Sequence, residues 1–434
     1  MNKFFILFLI VFSGNKLFAQ DNFDYNFIEK KTYEYYLSKQ WDSLIYIGNI
    51  GIQNNIDYFY LRSRIGYSYF EKNNYVKASE HFEKAMKFNG SDNFVIENLY
   101  NSYINLGFEG EANNLLRSYS QYFSDKTTPK TISEAYIEYG KTNNNNNENN
   151  KLNDIKNNIN WAESNTTNNI EYLGAGIKYS INKNIIMSTS YGKLNIDNTR
   201  QIVIGNEILN DNYNLYQNQM YANISYRISK KATIIPAFHY ILVDYKTLTS
   251  KYDTSKSKVF QERKGIALND YAISLAFDKK VNVFGFNIFT NFSHLNNNYQ
   301  KQFGLSLNTY PYGNLNFYTL STLVFQNTTN KNNLIAEQSV GVKILDFLWL
   351  ESFATFGNLE NYVEKNAFVI YNINEIINFR AGFSLIVPYK KLQFSLRYSF
   401  LKKTIPFEFF DNSIKKDTFK QNQHFFIGTL SYKF

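Results

Sequence analysis

The sequence predicts an α plus β membrane protein, with N-terminal α-hairpin repeats followed by an antiparallel transmembrane β-barrel of about 14 strands. Three observations carry this reading. A short cationic and apolar leader opens the chain. A 34-residue period runs through roughly the next hundred residues. From residue 131 on, segments alternate apolar and polar side chains until the chain ends on Phe434. Bacterial barrels use even strand numbers, so counts of 12 and 16 stay open.

Composition agrees with this class. Of 434 residues, 44% are hydrophobic and 19% charged, too apolar for disorder and too polar for a bundle of membrane helices. The 39 Phe and 36 Tyr against 5 Pro suit strands. With no cysteine, disulfide frameworks, Cys-based zinc sites, iron–sulfur clusters and cysteine nucleophiles are excluded. The formal charge is +9, but the basic residues are scattered and no nucleic-acid motif is present, so no nucleic-acid partner is expected.

Met1-Asn2-Lys3, the apolar run 4–12 and Leu17-Phe18-Ala19 follow the order of a secretory signal, with cleavage expected between Ala19 and Gln20. Residues 1–19 are thus a signal peptide. The run is shorter than the roughly 20 residues of a membrane-spanning helix, and no later stretch reaches 18 apolar residues.

Residues 20–128 carry the repeats. Tyr35, Tyr69 and Tyr103 are spaced by 34, as are Leu44, Ala78 and Ala112. The best unit reads Ile65-Gly66, Tyr69, Ala78, Phe82 and Ala85, and it resembles the tetratricopeptide (TPR) pattern. The outer units depart from it: Thr32 and Tyr100 stand at the Gly66 position, and Gly48 and Leu116 at the Phe82 position. Terminal repeats are commonly atypical. The resemblance implies a groove that docks a periplasmic protein, with a plain spacer as the alternative. His81 has no second ligand at metal spacing and is expected at the surface.

Residues 131–434 read as the barrel. Met220, Ala222, Ile224, Tyr226 and Ile228 oppose Gln219, Tyr221, Asn223, Ser225 and Arg227. Ile377, Phe379, Ala381, Phe383 and Leu385 oppose Asn378, Arg380, Gly382 and Ser384. Such apolar-out, polar-in alternation marks a transmembrane barrel in contact with outer-membrane lipid. Short turns are expected at 182–184, 229–231, 278–280, 311–313, 344–346 and 388–390. Longer external loops are expected near 142–168, 196–211, 247–262, 294–301, 327–333, 357–375 and 403–419. Within one of these, the strand-like stretch 366–372 would break the parity as a wall strand. It is read as an external hairpin arm and as a candidate plug.

Phe426, Gly428, Leu430, Tyr432 and Phe434 form an every-second row on the last strand. The row resembles the C-terminal assembly signal of outer-membrane proteins, which implies the barrel-assembly machinery as a partner. The stretch 348–359 (LWLESFATFGNL) and Tyr371-Asn372 resemble YaiO-like outer-membrane barrels, which occur with TPR extensions in Bacteroidetes-type bacteria. The resemblance covers about 131–434 and lends no defined activity. TPR repeats joined to a barrel also resemble exopolysaccharide exporters in architecture.

Chemistry-bearing motifs are absent: no H-E-x-x-H, G-x-S-x-G or phosphate-binding loop occurs among the residues. Ser293 and His294 are adjacent, so on a strand they point to opposite faces and cannot act as a nucleophile–base pair. No catalytic residue, metal or cofactor is expected. The face assignment points Lys178, Arg227, Arg380 and Arg397 inward with Glu337, Lys343 and Glu351. Rings of charge set pore selectivity, whereas cross-lumen pairs hold a wall together. Three functions follow. The first is a channel or exporter for a polar or anionic solute, a glycan among them, with the repeats docking partners. The second is a closed barrel that anchors an interaction module. The third is a lipid-acting enzyme.

Overall fold

The computed structural model describes residues 23–123, 131–143, 152, 159–182, 184–329, 331–372 and 375–434. The leader, its Ala19–Gln20 junction and much of the Asn-rich 142–168 stretch lie outside the described residues.

Among the described residues six α-helices come first: α1 (Tyr25–Leu37), α2 (Trp41–Gln53), α3 (Phe59–Glu71), α4 (Tyr75–Phe88), α5 (Asn93–Asn105) and α6 (Glu109–Ser118). Asp24, Asn74 and Asp92 cap α1, α4 and α5 by accepting from backbone amides in the first turn. Each helix packs on the next, and α1 and α5 both touch α3. The 34-residue period is visible in this packing. Leu44, Ala78 and Ala112 take equivalent, fully buried places on the second helix of each hairpin. Phe82 and Ala85 are fully buried as well, and Tyr103 nearly so, while Tyr35 and Tyr69 pack on the two helical cores. Gly66 permits the α3–α4 contact, because a Cβ there would sit 2.9 Å from the Phe82 ring.

His81 departs from expectation. It is buried between α4 and α3, with Nδ1 3.4 Å from Arg62 Nη1 and its ring against Tyr69. Burial, with Arg62 beside it, pushes the imidazole down to about 3 and keeps it neutral. The reason is that residue 81 faces back toward α3, where a long arginine covers it.

The wall strands are β1 (Ile132–Asn143), β2 (Trp161–Ser180), β3 (Ile185–Ile204), β4 (Glu207–Ser229), β5 (Ala232–Asp253), β6 (Lys258–Val281), β7 (Phe284–Leu295), β8 (Asn298–Thr309), β9 (Phe317–Thr328), β10 (Asn332–Leu345), β11 (Leu348–Phe356), β14 (Ile376–Tyr389), β15 (Leu392–Asp411) and β16 (Ser413–Lys433). All fourteen are antiparallel neighbours in one closed ring. The ring closes between β1 and β16, from Glu134↔Lys433 to Asn143↔His424. Two further strands, β12 (Val363–Glu364) and β13 (Val369–Ile370), pair only with each other. Large apolar side chains are exposed on the outside of the wall, among them Ile137, Leu173, Met220, Phe286, Phe303 and Leu396. The terminal row follows this face, with Phe426, Tyr432 and Phe434 exposed.

Four expectations change. Most of the external loops are absent as loops. The stretches 196–211, 247–262, 294–301 and 403–419 are paired strand extensions closed by tight turns, with left-handed Asn296, Asn297 and Asn412 at the bends. β4 with 23 residues and β6 with 24 run well past the roughly 9–11 needed to cross the bilayer. Strand pairing continues in water because the ladder satisfies the backbone whatever the side chains are. The β6–β7 turn falls at 282–283, a few residues later than the expected 278–280, whereas the β10–β11 turn at 346–347 overlaps the expected 344–346. A bulge between Ile377 and Phe379 turns Ile377 inward, although simple alternation places it outside. Finally, the 366–372 arm is not external, as shown next.

Candidate functional site

The segment after β11 folds into the barrel as the β12–β13 hairpin. Its backbone is held by inward polar side chains from successive wall strands. Asn291 on β7 donates to the Val363 carbonyl at 3.3 Å, Gln300 on β8 donates to Asn361 O, and Gln326 on β9 donates to Glu360 O at 3.0 Å. At the tip, Tyr221 on β4 donates to Asn366 O at 3.2 Å and His239 on β5 donates through Nδ1 to Ala367 O at 2.7 Å. Lys365, Asn366 and Ala367 are all left-handed, with φ of 52°, 54° and 64°, a costly backbone for three residues that lack glycine's freedom. The wall side chains hold that tip in place.

Arg380 ties the hairpin to β14. Its Nη1 is 2.8 Å from Glu364 of the hairpin, its Nη2 is 2.7 Å from Glu337 of β10, and it also donates to Tyr371. His239, Asn291, Gln300 and Gln326 come from β5, β7, β8 and β9, so the hairpin lies toward that side of the lumen. Beside it stays a slot of about 460 Å³, lined by β11, β14–β16, β1–β4 and the other face of the hairpin. On β15 alone its lining runs from Gln393 to Leu401, so the slot is elongated. Gln217, Gln219, Gln393 and Thr429 give it hydrogen-bonding groups, and Tyr172, Phe368, Tyr371 and Phe425 give it ring faces.

The expected lumen residues divide into three places. Arg380, Arg397 and Glu351 line the slot, and Glu337 stands behind Arg380. Arg397 lies 3.9 Å from Glu351 and over the Phe353 ring at 4.6 Å. Lys178 and Arg227 sit at the helix-side mouth and pair with Glu109 and Glu111 of α6. Lys343 pairs with Asp346 of its own turn and lies over Trp349. The arginines thus form no free ring. Three carboxylates, Glu138, Glu351 and Glu364, face three cations, Lys365, Arg380 and Arg397, around the slot. Reading the wall alone missed Glu364 and Lys365, because they belong to a segment taken as external. The available signal was the apolar stretch 366–372, too apolar for a solvated loop.

Ser293 and His294 point apart. Ser293 is buried and accepts from Gln300 at 2.8 Å, whereas His294 packs on Tyr299 and Tyr271 outside. Among the described residues no group of three metal-ligating side chains occurs.

The helices sit across one mouth of the barrel. The Val76 amide donates to Gly313 O at 3.1 Å, and Asn314 donates to Asn73 O at 2.9 Å, which fixes the start of α4 to the β8–β9 turn. The start of α6 meets β2, β4, β6 and β16. At the far mouth, β15 pairs with β2 from Phe407↔Ser164 to Phe410↔Trp161, and Phe410 stacks on Tyr252 at 4.1 Å. That contact narrows the far end.

No family model matches the chain, and no curated protein matches it. Solved structures do. The chain is similar to the toluene transporter TodX of Pseudomonas putida, with TM-score 0.45 and 7% identity over 73% of this chain and 91% of that one. It is similar to a FadL homologue of Pseudomonas aeruginosa, with TM-score 0.44 and 6% identity over 71% and 91%. It is also similar to the CymD monoaromatic hydrocarbon channel, with TM-score 0.35 and 9% identity over 76% and 94%.

Proposed function

We propose that this chain is a YaiO-like outer-membrane channel or exporter for a polar, chain-like solute of the glycan class, with periplasmic TPR repeats that dock a partner protein. The observation that carries the reading is the slot. The hairpin leaves beside it an elongated slot of about 460 Å³. That is within the roughly 300–1,000 Å³ range of ligand sites. Amides and hydroxyls along it suit sugar hydroxyls, and the faces of Tyr172, Phe368, Tyr371 and Phe425 suit sugar rings. Three carboxylates line it against three cations, and Glu337 pairs with Arg380 from behind, so the slot has no cationic excess, which favours an uncharged polar solute over an anion.

The anchored-module reading is the alternative, and the hairpin and the helix-covered mouth favour it. Liposome swelling separates the two. Proteoliposomes holding the full chain with residues 359–372 replaced by a Gly–Ser linker, and with Glu109→Lys and Glu111→Lys to loosen the helix-covered mouth, are expected to take up maltooligosaccharides faster than polyethylene glycol of equal size. Uptake no faster than in protein-free liposomes would decide for the anchor. For the enzyme reading, Ser293 faces Gln300 and His294 faces Tyr299, so the adjacent pair does not act together.

A further inference from the structure

The mouth beneath the helices is ringed by basic side chains, and the chain supplies its own acidic occupant. α6 opens with Glu109 and Glu111. Glu109 lies 2.9 Å from Lys178 and 2.7 Å from Lys433, on β2 and β16. Glu111 lies 3.2 Å from Lys280 and 3.5 Å from Arg227, on β6 and β4. The Lys280 ammonium also sits 3.3 Å from the centre of the Phe108 ring. On the opposite side of the ring, the start of α4 is bonded to the β8–β9 turn. The helices therefore span the mouth from wall to wall.

The charge arrangement makes this contact conditional. A helix N-terminus carries about half a positive charge. Without its two carboxylates, α6 would present that end to four cations. Every pair here is partly solvated, so each is modest alone and screened by salt. Lys231, 4.0 Å from Glu80, adds a fifth cation to the interface. From the wall, Glu134 also acts on Lys178 and Asp278 on Lys280, so the helix carboxylates share these cations with acidic wall residues.

We propose that α6 is an autoinhibitory clasp. Glu109 and Glu111 hold the basic mouth that an acidic segment of a partner protein takes when the barrel opens. The inhibitory half of this statement rests on the channel reading; the docking half does not.

The test uses the full chain, whose lack of cysteine gives a clean background. Asn73→Cys and Tyr312→Cys, placed together, leave the Val76–Gly313 and Asn314–Asn73 hydrogen bonds in place and report docking by cross-linking with a short bismaleimide. Heat modifiability and helical circular dichroism confirm that each variant is folded. Glu109→Lys with Glu111→Lys is expected to lower cross-linking at least fivefold. Hexaglutamate is expected to lower it more than sodium chloride of equal ionic strength. Unchanged cross-linking in the double variant would overturn the clasp, and equal effects of hexaglutamate and chloride would overturn the acidic-partner assignment.

Conductance in planar bilayers at about 0.1 M salt then tests inhibition. The double variant is expected to open where the parent is closed. If cross-linking is lost without any gain in conductance, while the chain with residues 359–372 replaced does conduct in high salt, inhibition is wrong and the channel reading stands. If every form is silent, the channel reading falls and inhibition falls with it.

Discussion

Arg380 and Glu364 join the barrel wall to the hairpin inside it, Nη1 to Oε2 at 2.8 Å, with both side chains only 6% exposed. Glu337 takes the other guanidinium nitrogen. A buried triad of this kind is costly to break from one side, because the remaining charges lose their partner.

Arg380→Met is therefore expected to destabilise the chain by about 3–5 kcal/mol, as two carboxylates are left facing each other. Adding Glu364→Gln should recover part of the loss. Urea unfolding followed by tryptophan fluorescence checks both; a single variant as stable as the parent would count against the triad.

Ala78→Arg tests the helical packing. Ala78 is fully buried, so a long charged side chain there should cost on the order of 3 kcal/mol or more. The helical circular dichroism is expected to fall while the barrel still migrates faster on gels unheated than boiled.

Docking of α6 should depend on acid. Burial opposes ionisation of Glu109, but Lys178 and Lys433 outweigh it and hold the carboxyl at about 2, below its ordinary value near 4.5. A carboxyl lowered in the docked state supports docking fully above about 4.5 and loses that support as pH falls toward 2. The distance between spin labels attached beforehand to cysteines at positions 73 and 312, read by pulsed electron paramagnetic resonance, should hold level from pH 8 to 5 and lengthen below 4.5, and Glu109→Gln should remove part of that change.

Deletion of Phe434 is expected to lower the yield of heat-modifiable protein in the outer membrane. The residue ends the outward row and its amide donates to Ser133 O on β1, across the closing seam. An undiminished yield would argue against an assembly role for the row.

Most of the architecture was legible because it is written locally. The period of 34 put Leu44, Ala78 and Ala112 in equivalent buried places, and alternation put Met220 outside and Tyr221 inside. What stayed hidden depends on contacts distant in sequence. Nothing near residue 366 says that Tyr221 and His239 wait across the lumen to bond its tip. The pairing of Lys178 and Arg227 with α6 joins residues 69 and 116 positions apart, so an inward cation reads as a pore charge until its partner is placed. Ile377 was misplaced for a different reason: a bulge shifts the phase of alternation without a change in composition.

Single-channel recording tests most directly whether the lumen is a passage. The full chain with residues 359–372 replaced by a Gly–Ser linker would be placed in planar bilayers in about 1 M KCl, where screening falls to roughly 3 Å and loosens the α6 contacts. It is expected to open in discrete steps larger than those of the parent, with little preference between cation and anion. Bilayers that stay silent with this variant folded and heat-modifiable would contradict a conducting lumen.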